Sequence, residues 1–177
     1  GVLILEEYSS ARRRGAHVYA EIIGVGMSTD AFHVTAPDPE GRGPQICMQH
    51  ALRRAGVRPA DVDYINAHGT STPLGDVAET KGVKAVFGED SKIAVSSTKS
   101  MIGHLLGASG AAEAVACMNT LVSGEIHPTA NYEVPDPSCD LDYVTNGPLK
   151  KDVEIILSNS FGFGGHNVCL AFKKYND

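Results

Sequence analysis

The chain has 177 residues, 42% of them hydrophobic and 20% charged, with a formal net charge of -6. That length and apolar fraction suit one domain of roughly 100–200 residues with its own core. The acidic balance argues against a nucleic-acid binder, which needs clustered Lys and Arg to neutralise phosphates; the one basic run, Arg12-Arg13-Arg14, reads as the solvated end of a short helix, with an acidic protein partner as the other reading.

Taken in chain order, residues 1–6 (Gly-Val-Leu-Ile-Leu-Glu) are an apolar strand pattern with no initiator Met and no polar lead-in. The expectation is that the chain begins inside a sheet and that further sequence belongs upstream. Runs rich in β-branched and apolar residues predict strands at 2–6, 18–25, 64–66, 93–96, 155–158 and 168–172. Helical spacing predicts helices at 45–55, 77–87 and 108–122. The Pro- and Gly-punctuated stretches 36–41 and 134–137 are loops and not linkers, because patterned segments continue on both sides. The order is a mixed α/β layer fold over residues 1–177, with one domain and no repeat.

Cys47, Cys117, Cys139 and Cys169 are scattered, with no Cys-x-x-Cys and no signal-like start, so they read as reduced thiols in a cytoplasmic protein. Charged residues and glycines interrupt every apolar run well before the roughly 18 residues a membrane helix needs. Residues 108–116 (Ala-Ser-Gly-Ala-Ala-Glu-Ala-Val-Ala) have side chains small enough for close backbone approach, which predicts a buried central helix. Glu113 stands out on it, since a carboxylate is costly to bury unless it is paired or coordinated.

Three segments join reactive side chains to glycine turns. They are Asn66-Ala67-His68-Gly69-Thr70-Ser71-Thr72-Pro73-Leu74-Gly75-Asp76, then Lys99-Ser100-Met101-Ile102-Gly103-His104, then Asn159-Ser160-Phe161-Gly162-Phe163-Gly164-Gly165-His166-Asn167. Each follows a strand-like run, and strand ends with Gly-rich turns are where α/β proteins place sites. Gly162 to Gly165 could be a phosphate loop, but a strand-like segment follows it where a phosphate-binding loop would lead into a helix, and the Lys is missing. The seven histidines show no metal-ligand spacing.

Together, in this order, the three motifs resemble the β-ketoacyl-acyl-carrier-protein synthases, the elongating condensing enzymes of fatty-acid synthesis, and most closely their type II branch. The resemblance runs from Gly1 to about Tyr175 and takes in Asp30-Ala31-Phe32-His33 and Thr35-Ala36-Pro37. It implies a thiolase-like fold in which two similar halves build an α/β/α/β/α sandwich with mixed sheets, this chain being the C-terminal half. It implies a decarboxylative Claisen condensation of malonyl carrier protein with a cysteine-bound acyl chain. None of the four cysteines lies in a segment resembling the nucleophile's elbow, so that cysteine belongs to the other half.

By the same resemblance, His68 and His104 are the catalytic histidines, donating from Nε2 to the enolate oxygen. Lys99 pairs with Glu113 behind them and is not a base. Phe163 is the gating phenylalanine, Asn66 and Asp76 support the site, and Phe161 reads as core packing. Some relatives suggest a monovalent cation near Asn66, Glu113 and residues 158–160; no organic cofactor is implied. The implied partners are acyl- and malonyl-loaded acyl carrier protein, the N-terminal half and a second copy in a homodimer, with no nucleic acid or membrane. A thiolase is disfavoured because the last motif ends Gly165-His166-Asn167 without a reactive Cys. A polyketide-type ketosynthase half, or an isolated structural or partner-binding fragment, remains the alternative.

Overall fold

A computed structural model describes residues 1–176. A short helix α1 (Tyr8–Arg13) precedes strand β1 (Ala20–Thr29), helix α2 (Arg42–Ala55), strand β2 (Tyr64–Asn66), helix α3 (Gly75–Phe87) and strand β3 (Ala94–Ser96). Helices α4 (Lys99–Ile102) and α5 (Ser109–Ser123) follow, then the short strands β4 (Glu125–Ile126) and β5 (Leu149–Lys150), and finally β6 (Ile155–Gly162) and β7 (His166–Lys174).

Five strands form one sheet in the order β1-β7-β6-β2-β3, while β4 and β5 pair separately. The sheet is mixed. β7 runs antiparallel to both β1 and β6, whereas β2 is parallel to both β3 and β6. The parallel strands Tyr64–Asn66 and Ala94–Ser96 are buried at every residue, as strands covered on both faces must be. One face packs on α2 and α3 through Met48, Leu52, Ile65, Val83 and Leu157. The other packs on α5 through Tyr64, Cys117, Leu121, Ile156 and Phe172.

β1 is lined with glycine where α2 crosses it. A Cβ on Gly26 would stand 1.7 Å from the Cys47 carbonyl oxygen, so only glycine lets the helix backbone come this close. The parallel register sets the site. Asn66 is level with both Ser96 and Ser158, so β2 and β3 end at the level where the third motif begins within β6, and the three sequence motifs start on one side of the sheet.

Two expectations need correction. Residues 2–6 form no ladder, and Val2, Ile4 and Leu5 are exposed, because no described strand lies beside them to accept their hydrogen bonds. An apolar pattern states a capacity to pair; it does not supply the partner. Helix α5 is buried only along the stripe holding Ser109, Glu113, Ala114, Cys117, Thr120 and Leu121, and it exposes Val115 and Val122 on its far side. The arginine run does end a short helix, where Arg14 pairs with Glu6 at 2.7 Å. Among the described residues, no helix is long and apolar enough to cross a membrane.

Candidate active site

His68 and His104 meet edge to face, with ring centroids 5.6 Å apart. They arrive by different routes. His68 follows β2 directly, and its loop is tied down by α3, the helix that begins a few residues later. The carboxylate of Glu79 accepts the backbone N–H of His68 at 3.0 Å on Oε1 and that of Gly69 at 2.9 Å on Oε2. One helical turn earlier, Asp76 accepts the Ser71 N–H at 3.2 Å. Two carboxylates on one helix face thus pin residues 68–71 through their main chain. Gly69 has φ +38° and packs so closely that a Cβ would lie 2.6 Å from that of Ser97.

Glu79 is buried, and burial is the main reason its carboxyl titrates above the ordinary value; the Gly69, Asn159 and His68 bonds oppose that shift. Asn159 Nδ2 donates to Glu79 Oε1 at 3.1 Å, which joins the third motif to the first. The His68 ring is enclosed by Phe161, at 5.6 Å between centroids, and by His104. Burial first, then the nearby Lys99 and His104, push its pKa down to about 3. His68 is therefore a neutral imidazole throughout the physiological range.

His104 is exposed and sits on the turn between α4 and α5. Its Nδ1 accepts the Leu106 backbone N–H at 3.1 Å and lies 3.0 Å from Ser109 Oγ. Ser109 Oγ itself accepts the Leu105 N–H at 2.9 Å, so its hydroxyl proton is free to point at the ring. With Nδ1 committed as an acceptor, the proton of the neutral ring resides on Nε2, the tautomer that a donor to an oxyanion requires.

Lys99, the first residue of α4, is buried and pairs with the buried Glu113 of α5, as the resemblance implies. The pair bolts the helix after the second motif to the helix that supplies Ser109. Asn66 is fully buried; its Nδ2 donates to Thr98 Oγ1 at 2.6 Å, while its Oδ1 has no partner among the described residues. Oε2 of Glu113 and Oδ1 of Asn159 are likewise buried without partners. Unpartnered amide and carboxylate oxygens are the donor chemistry of a hard cation, so the residues present fit the monovalent cation that the resemblance suggests.

Phe163 opens the β6–β7 turn and is 78% exposed. Gly164 and Gly165 after it adopt φ +82° and +75°. The turn is moored to residues 30–34: Gly164 N–H donates to the Val34 carbonyl at 2.7 Å, and Asp30 N–H donates to that of Gly165 at 2.9 Å. Phe161 is half-buried against the core, in keeping with a packing role, although it also touches the His68 ring.

The site gathers His68, His104, Lys99, Glu113 and Asn66, with Asp76 bracing the loop. Sequence reasoning misses Glu79 and His127. The signal for Glu79 was its i, i+3 spacing from Asp76 at the start of the helix after the first motif. Cys47 and Cys117 are buried, which pushes both thiols up to about 12, and burial raises Cys169 and Cys139 as well. None of them has thiolate character.

The family model described as the β-ketoacyl synthase C-terminal domain matches residues 19–133. A 3-oxoacyl-[acyl-carrier-protein] synthase 2 of Synechocystis is 56% identical over 99% of this chain and 42% of its own length. The protein of the same name from Staphylococcus aureus is 52% identical over the same shares. The chain thus spans about two fifths of the length of these relatives. Among solved structures, a type II polyketide ketosynthase in complex with its acyl carrier protein matches at TM-score 0.93 and 38% identity, over 97% of this chain and 42% of that one. A β-ketoacyl synthase from Burkholderia phymatum matches at TM-score 0.89 and 41% identity, over 97% and 41%. With a family model covering well over half of it, and with the three motifs starting on one side of the sheet, the chain belongs to the β-ketoacyl synthase family and carries its C-terminal domain.

Proposed function

We propose that this chain is the charge-stabilising half of a 3-oxoacyl-acyl-carrier-protein synthase of fatty-acid elongation. The observation that supports this most is the pair of facing imidazoles, one kept neutral by burial and the other held as the Nε2–H tautomer. In the reaction, the bond between the malonyl methylene carbon and its carboxylate breaks and carbon dioxide leaves. The electron pair becomes an enolate whose negative charge falls on the thioester oxygen. Nε2–H groups of His68 and His104 donate to that oxygen, and each such donor contributes on the order of 100- to 1000-fold in rate. The enolate carbon then attacks the acyl thioester and expels the cysteine thiolate.

That acyl-accepting cysteine is supplied from outside this chain, since the four thiols here are protonated or buried structural groups. Lys99 and Glu113 hold the histidine-bearing turns in place, and Phe163, on its glycine-flanked turn, gates the acyl chain. Asn66 and Glu113 would hold a monovalent cation, which would offset buried negative charge behind the site. The partners are acyl- and malonyl-loaded carrier protein, the N-terminal half and a second copy, in the cytoplasm. The relatives at 56% and 52% identity, named as 3-oxoacyl-[acyl-carrier-protein] synthases, favour fatty-acid elongation over the polyketide role of the structural neighbour at 38%. The test is to incubate acyl- and malonyl-carrier protein with the full-length enzyme and with the isolated chain. Condensed product and carbon dioxide should form only with the former; product from the isolated chain would overturn the division of labour.

A further inference from the structure

His127 follows the short strand β4, lies in none of the three motifs, and reaches into the centre of the buried polar network behind the site. Its side-chain partners come from β2 and from the end of β3. Nε2 lies 3.0 Å from Thr98 Oγ1, 3.2 Å from the Tyr64 hydroxyl and 3.4 Å from Asn66 Nδ2. Nδ1 lies 3.1 Å from the Pro128 carbonyl and 3.3 Å from Ser96 Oγ.

A carbonyl oxygen can only accept, so the Pro128 contact places the ring proton on Nδ1 and leaves Nε2 as an acceptor. Thr98 O–H then donates to Nε2, which turns a Thr98 lone pair toward Asn66. Asn66 Nδ2 donates into that lone pair at 2.6 Å. Asn66 Nδ2 also donates to the Tyr64 hydroxyl at 3.2 Å and lies near Nε2 itself, so its amide direction follows the histidine tautomer, and its Oδ1 faces the other way. Asn66 stands two residues before His68, and Thr98 stands immediately before Lys99. Their bond is the clasp between the loop that carries one imidazole and the helix that carries the lysine.

We propose that His127 is a positioning residue for the condensing site: as an acceptor at Nε2 it fixes the polarity of the Thr98–Asn66 clasp and thereby the relative placement of His68 and Lys99. This rests on the reading of His68 as an enolate-stabilising donor. A merely space-filling histidine would be replaced equally well by any side chain of similar volume; a polarity-setting one requires an acceptor at the Nε2 position.

The test compares His127→Gln, whose amide oxygen can take the place of Nε2, with His127→Leu, which fills the space without an acceptor. Both are made in the full-length enzyme, beside His68→Ala, and malonyl decarboxylation and cysteine acylation are read separately. His127→Leu should lower kcat for decarboxylation by about 10- to 100-fold, the scale of a misplaced catalytic group. KM for the malonyl carrier and the acylation rate should be nearly unchanged, and His127→Gln should restore most of the loss. Thr98→Val removes the same link without touching His127, so it should reproduce the loss and give a readout even where His127→Leu fails to fold. If His68→Ala cripples decarboxylation while Leu and Gln at 127 behave alike, the assignment of His127 falls and the site reading stands. If His68→Ala leaves decarboxylation intact, the reading of the site falls and this inference falls with it.

Discussion

The two histidine-bearing segments do one chemical task by opposite means. At His68 the loop is held and the ring is left alone: Glu79 grips the main chain of residues 68 and 69, while Nδ1 of the half-buried imidazole has no partner among the described residues. At His104 the ring is held directly, because Leu106 and Ser109 fix Nδ1 on an exposed turn. A buried donor gains its neutral state and its direction from the packing around it. An exposed one must be oriented bond by bond. The comparison predicts that damage near His68 is transmitted through stability, and damage near His104 through geometry.

Lys99 and Glu113 are both buried, so breaking their pair should have the largest effect. Lys99→Ala strands a buried carboxylate and should cost about 3–5 kcal/mol of stability, along with the reaction. Adding Glu113→Ala should restore part of that stability, in a double-mutant cycle read by chemical denaturation of the full-length enzyme. Additive losses would mean that the two side chains do not act as a pair.

Next in size, Glu79→Ala leaves two backbone N–H groups unaccepted in a buried loop and should cost about 1–3 kcal/mol for each left without water. Decarboxylation should fall with it, and denaturation and product assays on one preparation check both. Unchanged stability would mean that water satisfies the loop and that Glu79 is not its anchor. Ser109→Ala should behave in the contrasting way. A stability loss of only about 1 kcal/mol should accompany a clear fall in decarboxylation with KM retained, because the His104 ring loses one of its two constraints. A loss of stability as large as that of Glu79→Ala would erase the distinction between the two segments.

How much of this could be read in the sequence depended on how local each signal was. The three motifs are legible because glycine punctuates strand ends, and parallel register then brings Asn66, Ser96 and Ser158 level. That Glu113 needs a partner is legible because a carboxylate on an alanine-rich helix is costly to bury alone; that Lys99 is the partner comes from the family resemblance. His127 is silent because its side-chain partners lie 29 to 63 residues away, and no short pattern encodes such a contact. Glu79 looks like any solvent-facing helical carboxylate until the loop folds over it. Residues 2–6 misled because an apolar, β-branched run suits a strand and leaves its neighbour unspecified.

The smallest effect at neutral pH is an acid one. Burial holds His68 at about 3 in the folded protein, against 6.5 for a free imidazole. As pH falls from about 6.5 toward 3, the unfolded chain binds this proton first, so His68 drains stability over that window and costs none above it. In His68→Gln that drain is absent. The stability difference between the parent enzyme and the variant should be flat above neutrality and shift in the variant's favour on acidification, as followed by denaturation at a series of pH values. A difference independent of pH would mean that the imidazole titrates normally.

The central claim is that both imidazoles serve the enolate and not the first acyl transfer. Its most direct test is to follow carbon dioxide release from malonyl carrier protein and acyl loading of the cysteine separately, in full-length His68→Ala and His104→Ala. Each variant should lose about 100- to 1000-fold in decarboxylation, with acyl loading close to that of the parent enzyme. Equal losses in both steps would contradict the assignment.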